Sequence, residues 1–221
     1  MKYYQNELNH RKSWSKGSLV KYIMKYTTIF FIVFLATNKS NGNNISYSDL
    51  VKIDEIFYEK ESSKPFSGNI VGLFEGKFIE GKKFGEFVKF YNDGKLLSRV
   101  NYFDNKLNGV WLEYYRNGNL LSKKIFKNNL LNGIYIDYYS FGQILSKRFY
   151  INNKLEGKYE EFYKNGQLHI IKNYENNILE GEFISYHEYE FNPTIQIKVK
   201  KKYKNGRLIG QYLEYYENGN K

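Results

Sequence analysis

Polar and apolar positions recur along most of the chain with a fixed period of 24 residues. Each copy opens at a glycine, places an aromatic residue two positions later and follows it with an aromatic pair three positions after that. Self-similarity at a period of roughly 20 to 50 residues is typical of a solenoid or repeat array. The opening glycines are Gly85, Gly109, Gly133, Gly157 and Gly181, which are 24 residues apart, and Gly210, which lies 29 residues after Gly181.

Each repeat contains two short apolar runs and two chain reversals. In the copy that opens at Gly109, the first run ends at Asn117-Gly118, and the second run, from Leu120 to Phe126, ends at Asn128-Asn129. Asparagine and glycine tolerate the positive φ angles that tight turns require. Runs of about five to seven residues are strand length, whereas a helix needs ten or more. The pattern therefore predicts a meander with two strands per repeat.

The predicted pairing places acids beside bases on one face of the sheet. If Asn117-Gly118 are the two central residues of the turn, the register follows. It predicts the pairs Tyr115–Leu120, Glu113–Ser122 and Trp111–Lys124. Acids then lie diagonal to bases in the pairs Glu113–Lys124, Asp137–Arg148 and Glu161–Lys172. We expect an exposed, solvated ladder in which each ion pair contributes roughly 0.2 to 1 kcal/mol.

The repeat resembles a known bacterial family. The pattern Gly-x-aromatic-x-x-aromatic-aromatic-x-Asn-Gly-x-Leu, followed by Tyr-x-x-x-x-Leu-x-Gly, is similar to the MORN-repeat variant of YwqK-like antitoxin-type proteins. The resemblance covers about residues 65–221. It implies an all-β fold, an elongated single-layer antiparallel meander sheet of tandem two-strand repeats that resembles a β-solenoid. It implies no catalytic residues, and its antitoxin label is a weak guide to what any member does.

The first 42 residues predict a targeting segment and a linker. Basic residues dominate the start of the chain, and Ile29 to Ala36 then reads IFFIVFLA without interruption. An apolar run of this length is typical of a signal peptide, whereas a membrane-spanning helix needs about 20 residues. We expect export to the periplasm, the cell envelope or the medium. A cleaved signal, an uncleaved anchor and a buried apolar strand remain open, and Met24 is an alternative start.

The rest of the chain divides at Gly85. Residues 43–84 are predicted to form an N-terminal cap and a degenerate first repeat, because terminal repeats are commonly atypical. Residues 85–221 hold five repeats and a truncated sixth. The last strand, which begins at Gly210, is expected to leave one edge unpaired, where a partner strand or a second copy could pair weakly.

Composition argues against catalysis and cofactor binding. The chain has no cysteine, which excludes disulfides and thiolate chemistry. Its three histidines, His10, His169 and His187, have no neighbour at metal-ligand spacing. Of the net charge of +11, the first 25 residues carry +5, and in the rest of the chain the bases are interleaved with acids. We therefore expect a protein that is not an enzyme, has no cofactor or metal and binds no nucleic acid.

The function expected from this sequence is a scaffold for protein–protein interaction at the cell envelope. The unidentified partner is expected to contact apolar side chains in the long connection of the fifth repeat and in the last strand. These candidate partner-binding residues are Tyr189, Phe191, Tyr212 and Tyr216. One alternative is binding to anionic lipid at a membrane surface. Its candidate residues are Lys198, Lys200, Lys201 and Lys202. Another alternative is neutralisation of a toxin, as an antitoxin or immunity-type protein.

Overall fold

A computed structural model describes residues 44–189 and 196–221 of the chain. The predicted targeting segment and Phe191 lie outside the described residues. The strands are β1 Asn44–Ser46, β2 Leu50–Ile53, β3 Ile56–Glu59, β4 Gly68–Val71, β5 Phe74–Ile79, β6 Lys82–Phe90, β7 Leu96–Phe103, β8 Lys106–Tyr114, β9 Leu120–Lys127, β10 Leu130–Leu131, β11 Gly133–Tyr138, β12 Ile144–Ile151, β13 Lys154–Leu155, β14 Gly157–Phe162, β15 Leu168–Glu175, β16 Ile178–Tyr186, β17 Ile197–Lys204 and β18 Arg207–Glu214. A single 3-10 turn, Tyr47–Asp49, separates β1 from β2.

Sixteen of these strands form one sheet in which β4 to β18 follow one another in chain order. Neighbouring strands are antiparallel throughout this run, and the short strands β10 and β13 pair with β9 and β12. The predicted all-β meander is confirmed. Two features at the N-terminal end depart from it: β1 pairs with β4 in parallel, and β2 and β3 form a separate hairpin.

The two reversals of each repeat use different turn chemistry. Asn128 and Asn129 both have positive φ, 51° and 67°, as a two-residue type I′ hairpin requires. At the other reversal, Gly118 has a φ of 89°, whereas Asn117 stays at negative φ. The Tyr115 amide donates to the Asn119 carbonyl at 2.8 Å, so the loop between them holds three residues.

Because this loop has three residues, the observed register next to the turn differs from the predicted one. Tyr114, and not Tyr115, pairs with Leu120, because a bulge follows Glu113. A type I turn that ends in a left-handed glycine needs one more residue than a two-residue hairpin, and the bulge absorbs it. Below the bulge, the predicted pairs of Glu113 with Ser122 and of Trp111 with Lys124 are both present.

An N-terminal cover, residues 47–67, packs against one face of the sheet. Its Phe57 and Phe66 meet Phe78 and Phe87 of the sheet, where Phe87 is fully buried. A Cβ at Gly76 would lie 2.3 Å from the Phe87 ring, so only glycine fits beneath that ring. We call this side of the sheet, which carries Phe87 and in the next repeat Trp111, the near face. The opposite side is the far face.

A row of side-chain hydrogen bonds ties each repeat to the next. The second aromatic residue of each pair donates its hydroxyl to a backbone carbonyl 23 residues later. The bonds are Tyr91 to Tyr114, Tyr115 to Tyr138, Tyr139 to Phe162 and Tyr163 to Tyr186, at 2.8 to 2.9 Å. In the fifth repeat the residue is His187, whose Nε2 donates to the Tyr215 carbonyl at 2.8 Å.

A second row runs along the Asn-Asn turns. The Asn129 side-chain oxygen accepts from the Leu107 amide at 2.6 Å, and the Asn129 amide donates to the Leu107 carbonyl at 3.0 Å. Asn153 and Asn177 bind Leu131 and Leu155 in the same way. Each turn therefore holds the preceding repeat at both backbone groups of one leucine.

Removal of one tyrosine hydroxyl should weaken the junction between two repeats. We expect Tyr115→Phe to lower the free energy of unfolding by about 1 kcal/mol, since the Tyr138 carbonyl loses its side-chain donor. Urea denaturation of the variant measures the change. Tyr216→Phe is the matched control, because Tyr216 is 70% exposed. Equal stability of the two variants would contradict a role for the hydroxyl row.

Candidate interaction surfaces

Beyond the cover, the near face carries a ladder of alternating rings and cations. The Lys124 ammonium lies 5.2 Å from the centroids of both Trp111 and Tyr135. The Arg148 guanidinium lies 4.0 Å from the Tyr135 ring, and Lys172 lies 4.4 Å from Tyr159. The pattern continues to Lys201, between Phe183 and Tyr212. Two of these cation–π contacts, Lys124 with Tyr135 and Lys201 with Tyr212, link neighbouring repeats through side chains.

The ladder's acids are less exposed than the sequence predicts. Glu113 accepts from the Lys124 ammonium and the Ser122 hydroxyl, both at 2.6 Å. Ser122 is only 2% exposed, and the side chains of Lys124 and Glu113 are 19% and 26% exposed. Burial alone would raise the pKa of Glu113. The hydrogen bonds from Lys124 and Ser122, together with the charge of Lys124, outweigh burial and lower that pKa.

The predicted pair of Glu161 with Lys172 does not form. Glu161 instead accepts from the Tyr159 hydroxyl at 3.1 Å and lies 3.3 Å from His169 Nδ1. Lys172 lies over the rings of Tyr159 and Tyr174. Burial, followed by the charge and the hydrogen bond of Glu161, raises the pKa of Tyr159 to about 12. The predicted Asp137–Arg148 pair is present, with Ser146 also bound to Asp137.

Lys83 occupies an aromatic cage that sequence reasoning missed. Its ammonium lies 4.9 to 5.7 Å from the ring centroids of Tyr47, Phe57, Phe74, Phe87 and Tyr102. Burial, and then the charge of Lys52, lower its pKa. The signal was available in the sequence, because Lys83 stands where later repeats have leucine, as at Leu107.

Of the two predicted partner-binding residues in the long connection, the structure describes only Tyr189. Tyr189 is half-buried, and its hydroxyl donates to the Gln196 side chain and to the Glu217 carbonyl, at 3.2 and 3.1 Å. Its amide and carbonyl both bind the Gln167 side chain. Tyr189 is therefore held against neighbouring turns and does not project from the loop. Phe191 lies outside the described residues.

The two candidate residues near the end of the chain are solvent-exposed. Tyr212 in β18 is 49% exposed, and its hydroxyl donates to Glu214 at 3.1 Å. Tyr216 follows β18 and is 70% exposed. Within the described residues, β18 pairs with β17 on one side only. Beside it lies a hollow of about 840 Å³, lined in part by His187, Lys198 and Glu214.

The four candidate lipid-binding lysines do not form one patch. Successive residues of a strand point to opposite faces, so Lys198, Lys200 and Lys202 lie on the far face and Lys201 lies on the near face. Lys201 stacks on the Tyr212 ring at 4.8 Å. Lys200 is paired with Glu182 at 2.9 Å. Only Lys198 and Lys202 are both exposed and on the same face.

Two other kinds of feature, a metal site and a membrane-spanning helix, are absent from the described part of the chain. Residues 44–189 and 196–221 contain no group of three or more histidine or acidic residues placed to hold a metal ion. The same ranges contain no helix that is long and apolar enough to cross a membrane.

Comparison with known families identifies the repeats. The family model described as the MORN repeat variant matches residues 85–104, 107–128, 131–152 and 155–176. These are four tandem MORN repeat variants. The resemblance noted in the sequence is therefore confirmed for this MORN array, which comprises β7 to β15 and most of β6. No curated protein matches the chain.

One solved structure is a distant match to the chain that carries the MORN array. A chain from the crystal structure of a GtfA/B complex bound to UDP and GlcNAc covers 78% of this chain, with 11% sequence identity and a TM-score of 0.20. This chain spans 36% of that chain's length. A TM-score this low supports no argument about fold or function.

The half-buried Glu113 makes the stability of the MORN array depend on acid pH. Its lowered pKa contributes stability above the pKa of the unfolded chain, and that stability is lost as pH falls through the lower pKa of the folded protein. Glu113→Gln should therefore be less stable than the natural protein at pH 7, and the difference should shrink below about pH 4. Urea denaturation between pH 7 and pH 2 measures this.

The matched control is Glu86→Gln, because Glu86 and its partner Arg99 are both nearly half exposed. An exposed pair of this kind contributes little to stability. A pH-dependent loss of the same size in both variants would show that burial of the Glu113 cluster is irrelevant.

Proposed function

We propose that this protein is a non-enzymatic repeat scaffold that binds another protein at the cell envelope. One observation carries the proposal. Beyond the N-terminal cover, the MORN array is a single layer, and its far face leaves large apolar side chains in solvent, such as Phe149 at 44% and Ile151 at 46% exposure. Exposed apolar groups aligned on a rigid sheet are typical of surfaces that bind partners.

The location at the envelope is supported by the sequence alone. A basic leader followed by IFFIVFLA is typical of an exported or anchored protein. Fractionation of the cells that make the protein should place it outside the cytoplasm. Mass spectrometry of the mature chain should find its N-terminus between Thr37 and Ser46, or an intact chain in the membrane fraction. Soluble full-length protein in the cytoplasm would overturn this part of the proposal.

Photo-cross-linking from both faces tests the scaffold function. Phe149 and Tyr150 are adjacent in β12 and point to opposite faces, so p-benzoylphenylalanine replaces an aromatic residue at either position. A third probe replaces the exposed Tyr212. We expect at least one probe to form a covalent adduct with another protein in intact cells. The absence of protein adducts from all three positions, in cells that express the variants normally, would contradict the function.

A second candidate function is binding to anionic lipid, favoured by the exposed Lys198 and Lys202 on one face. Co-sedimentation of the full chain with vesicles separates the two candidates. A membrane-surface module would bind vesicles that contain phosphatidylglycerol, and Lys198→Glu/Lys202→Glu would release it. A protein scaffold would not change its binding when these lysines are reversed.

A narrower form of the proposal is that the bound protein is a toxin, which rests on the resemblance to antitoxin-type proteins. Its test is genetic. Loss of this protein should be harmful to cells that make the cross-linked partner and harmless to cells that lack the partner. Equal growth of the two strains would remove the antitoxin interpretation and leave the scaffold.

A further inference from the structure

The far face of β8 to β12 carries charges of only one sign. Among the described residues 106–151 of these strands, the charged side chains on this face are Lys106, Lys123, Lys127 and Lys147. The acids of the same strands, Glu113 and Asp137, lie on the near face, where they bind Lys124 and Arg148. None of the four far-face lysines forms an ion pair with a described carboxylate.

In the flanking parts of the far face, three bases have acidic partners. Arg99 in β7 binds Glu86 at 3.2 Å. Lys158 in β14 lies 2.6 Å from Glu160. Lys200 in β17 lies 2.9 Å from Glu182. These three bases are therefore neutralised within the chain, whereas the four lysines of β8 to β12, like Lys198 and Lys202 of β17, form no ion pair with a described carboxylate.

Aliphatic side chains fill the spaces between these lysines. Lys123 pairs across the sheet with Leu112 on one side and Ile136 on the other, and Ile136 pairs in turn with Lys147. Two strand spacings separate Lys123 from Lys147, about 9.5 Å. The next row holds Ile125, Ile134 and Phe149. Apolar and cationic positions thus alternate across the row of Lys123 and Lys147 and along β9, beside a row that is wholly apolar.

We propose that the far face of β8 to β12 is the docking surface for a partner protein whose contact segment places acidic side chains between apolar ones. This inference rests on the proposed scaffold function and names the kind of partner. Carboxylates spaced like the lysines supply the charges that the sheet lacks here. Apolar contacts with Ile136 and Phe149 then exclude water from those pairs, which strengthens them.

The shape of the sheet favours a protein partner over a membrane. Neighbouring strands rotate by roughly 20 to 25° relative to one another, so β8 and β12, three strand steps apart, differ by about 60 to 75° in direction. A flat lipid surface would contact such a twisted face over few strands at once. A polypeptide segment follows the twist and reaches lysines in successive repeats.

The test combines charge reversal with the Phe149 cross-linking probe. Lys123→Glu/Lys147→Glu, introduced into the full chain that carries the probe, should reduce the protein adduct at least tenfold. The matched control is Lys95→Glu/Lys164→Glu, which makes the same change in net charge at two exposed turns and should leave the adduct unchanged. Lys123→Gln/Lys147→Gln should give an intermediate loss. Circular dichroism of each purified variant confirms that the sheet has formed.

Mass spectrometry of the adduct identifies the chemistry of the contact segment. A cross-linked peptide with an excess of aspartate and glutamate supports the inference, as does loss of the adduct at high salt. A neutral or basic peptide, an adduct with lipid, or an adduct that survives the Lys123/Lys147 reversal would overturn it. Adducts from Tyr150 or Tyr212 without one from Phe149 would overturn the docking surface alone and leave the scaffold function standing.

Discussion

A single-layer sheet has no second layer against which to bury its side chains, so each repeat depends on hydrogen bonds to its neighbours. Two rows of side-chain hydrogen bonds link the repeats, one row at each end of the strands. The hydroxyl of Tyr115 reaches the carbonyl of Tyr138 in the next repeat, while the Asn129 side chain holds Leu107 of the preceding one. Both bonds are made by residues that stand beside turns. The chain reversals therefore fix the stacking of repeats as well as the direction of each strand.

On the near face, the type of residue at a repeated position depends on whether the N-terminal cover lies over it. Under the N-terminal cover, Phe87 and Val100 are buried among other apolar groups. In the next repeat, which the cover does not span, Lys124 replaces Val100 and binds Glu113. A lysine at the position of Val100 would be buried without an acidic partner, which is costly. Lys124, outside the cover, has Glu113 as its partner. Lys83 is the exception, because rings of the cover and of the sheet, Phe57 and Tyr102 among them, surround its ammonium.

Much of the fold could be predicted because the period is local and exact. The Asn-Asn turns, the strand order and the Glu113–Ser122 pair follow directly from residues that recur every 24 positions. The pairing of Tyr114 with Leu120 could not be predicted, since Asn-Gly suits both a two-residue turn and a three-residue loop. The fate of Glu161 depended on Ile170, which replaces the serine found at Ser122 and Ser146 and removes a hydroxyl donor. The position of Tyr189 depended on Gln167 and Glu217, which belong to other turns.

The two faces of the same strands have different capacities for recognition because their charges are satisfied differently. On the near face, acid, base and ring alternate, so Lys124 has Glu113, Trp111 and Tyr135 as partners within the chain. A ligand would have to displace these contacts before it gained its own. On the far face, Lys123 and Lys147 lie among Leu112 and Ile136 and form no ion pair with a described carboxylate. The acid directly opposite Lys147, Glu160, binds Lys158 instead. A ligand at the far face would therefore meet Lys123 and Lys147 without first displacing an ion pair of either side chain.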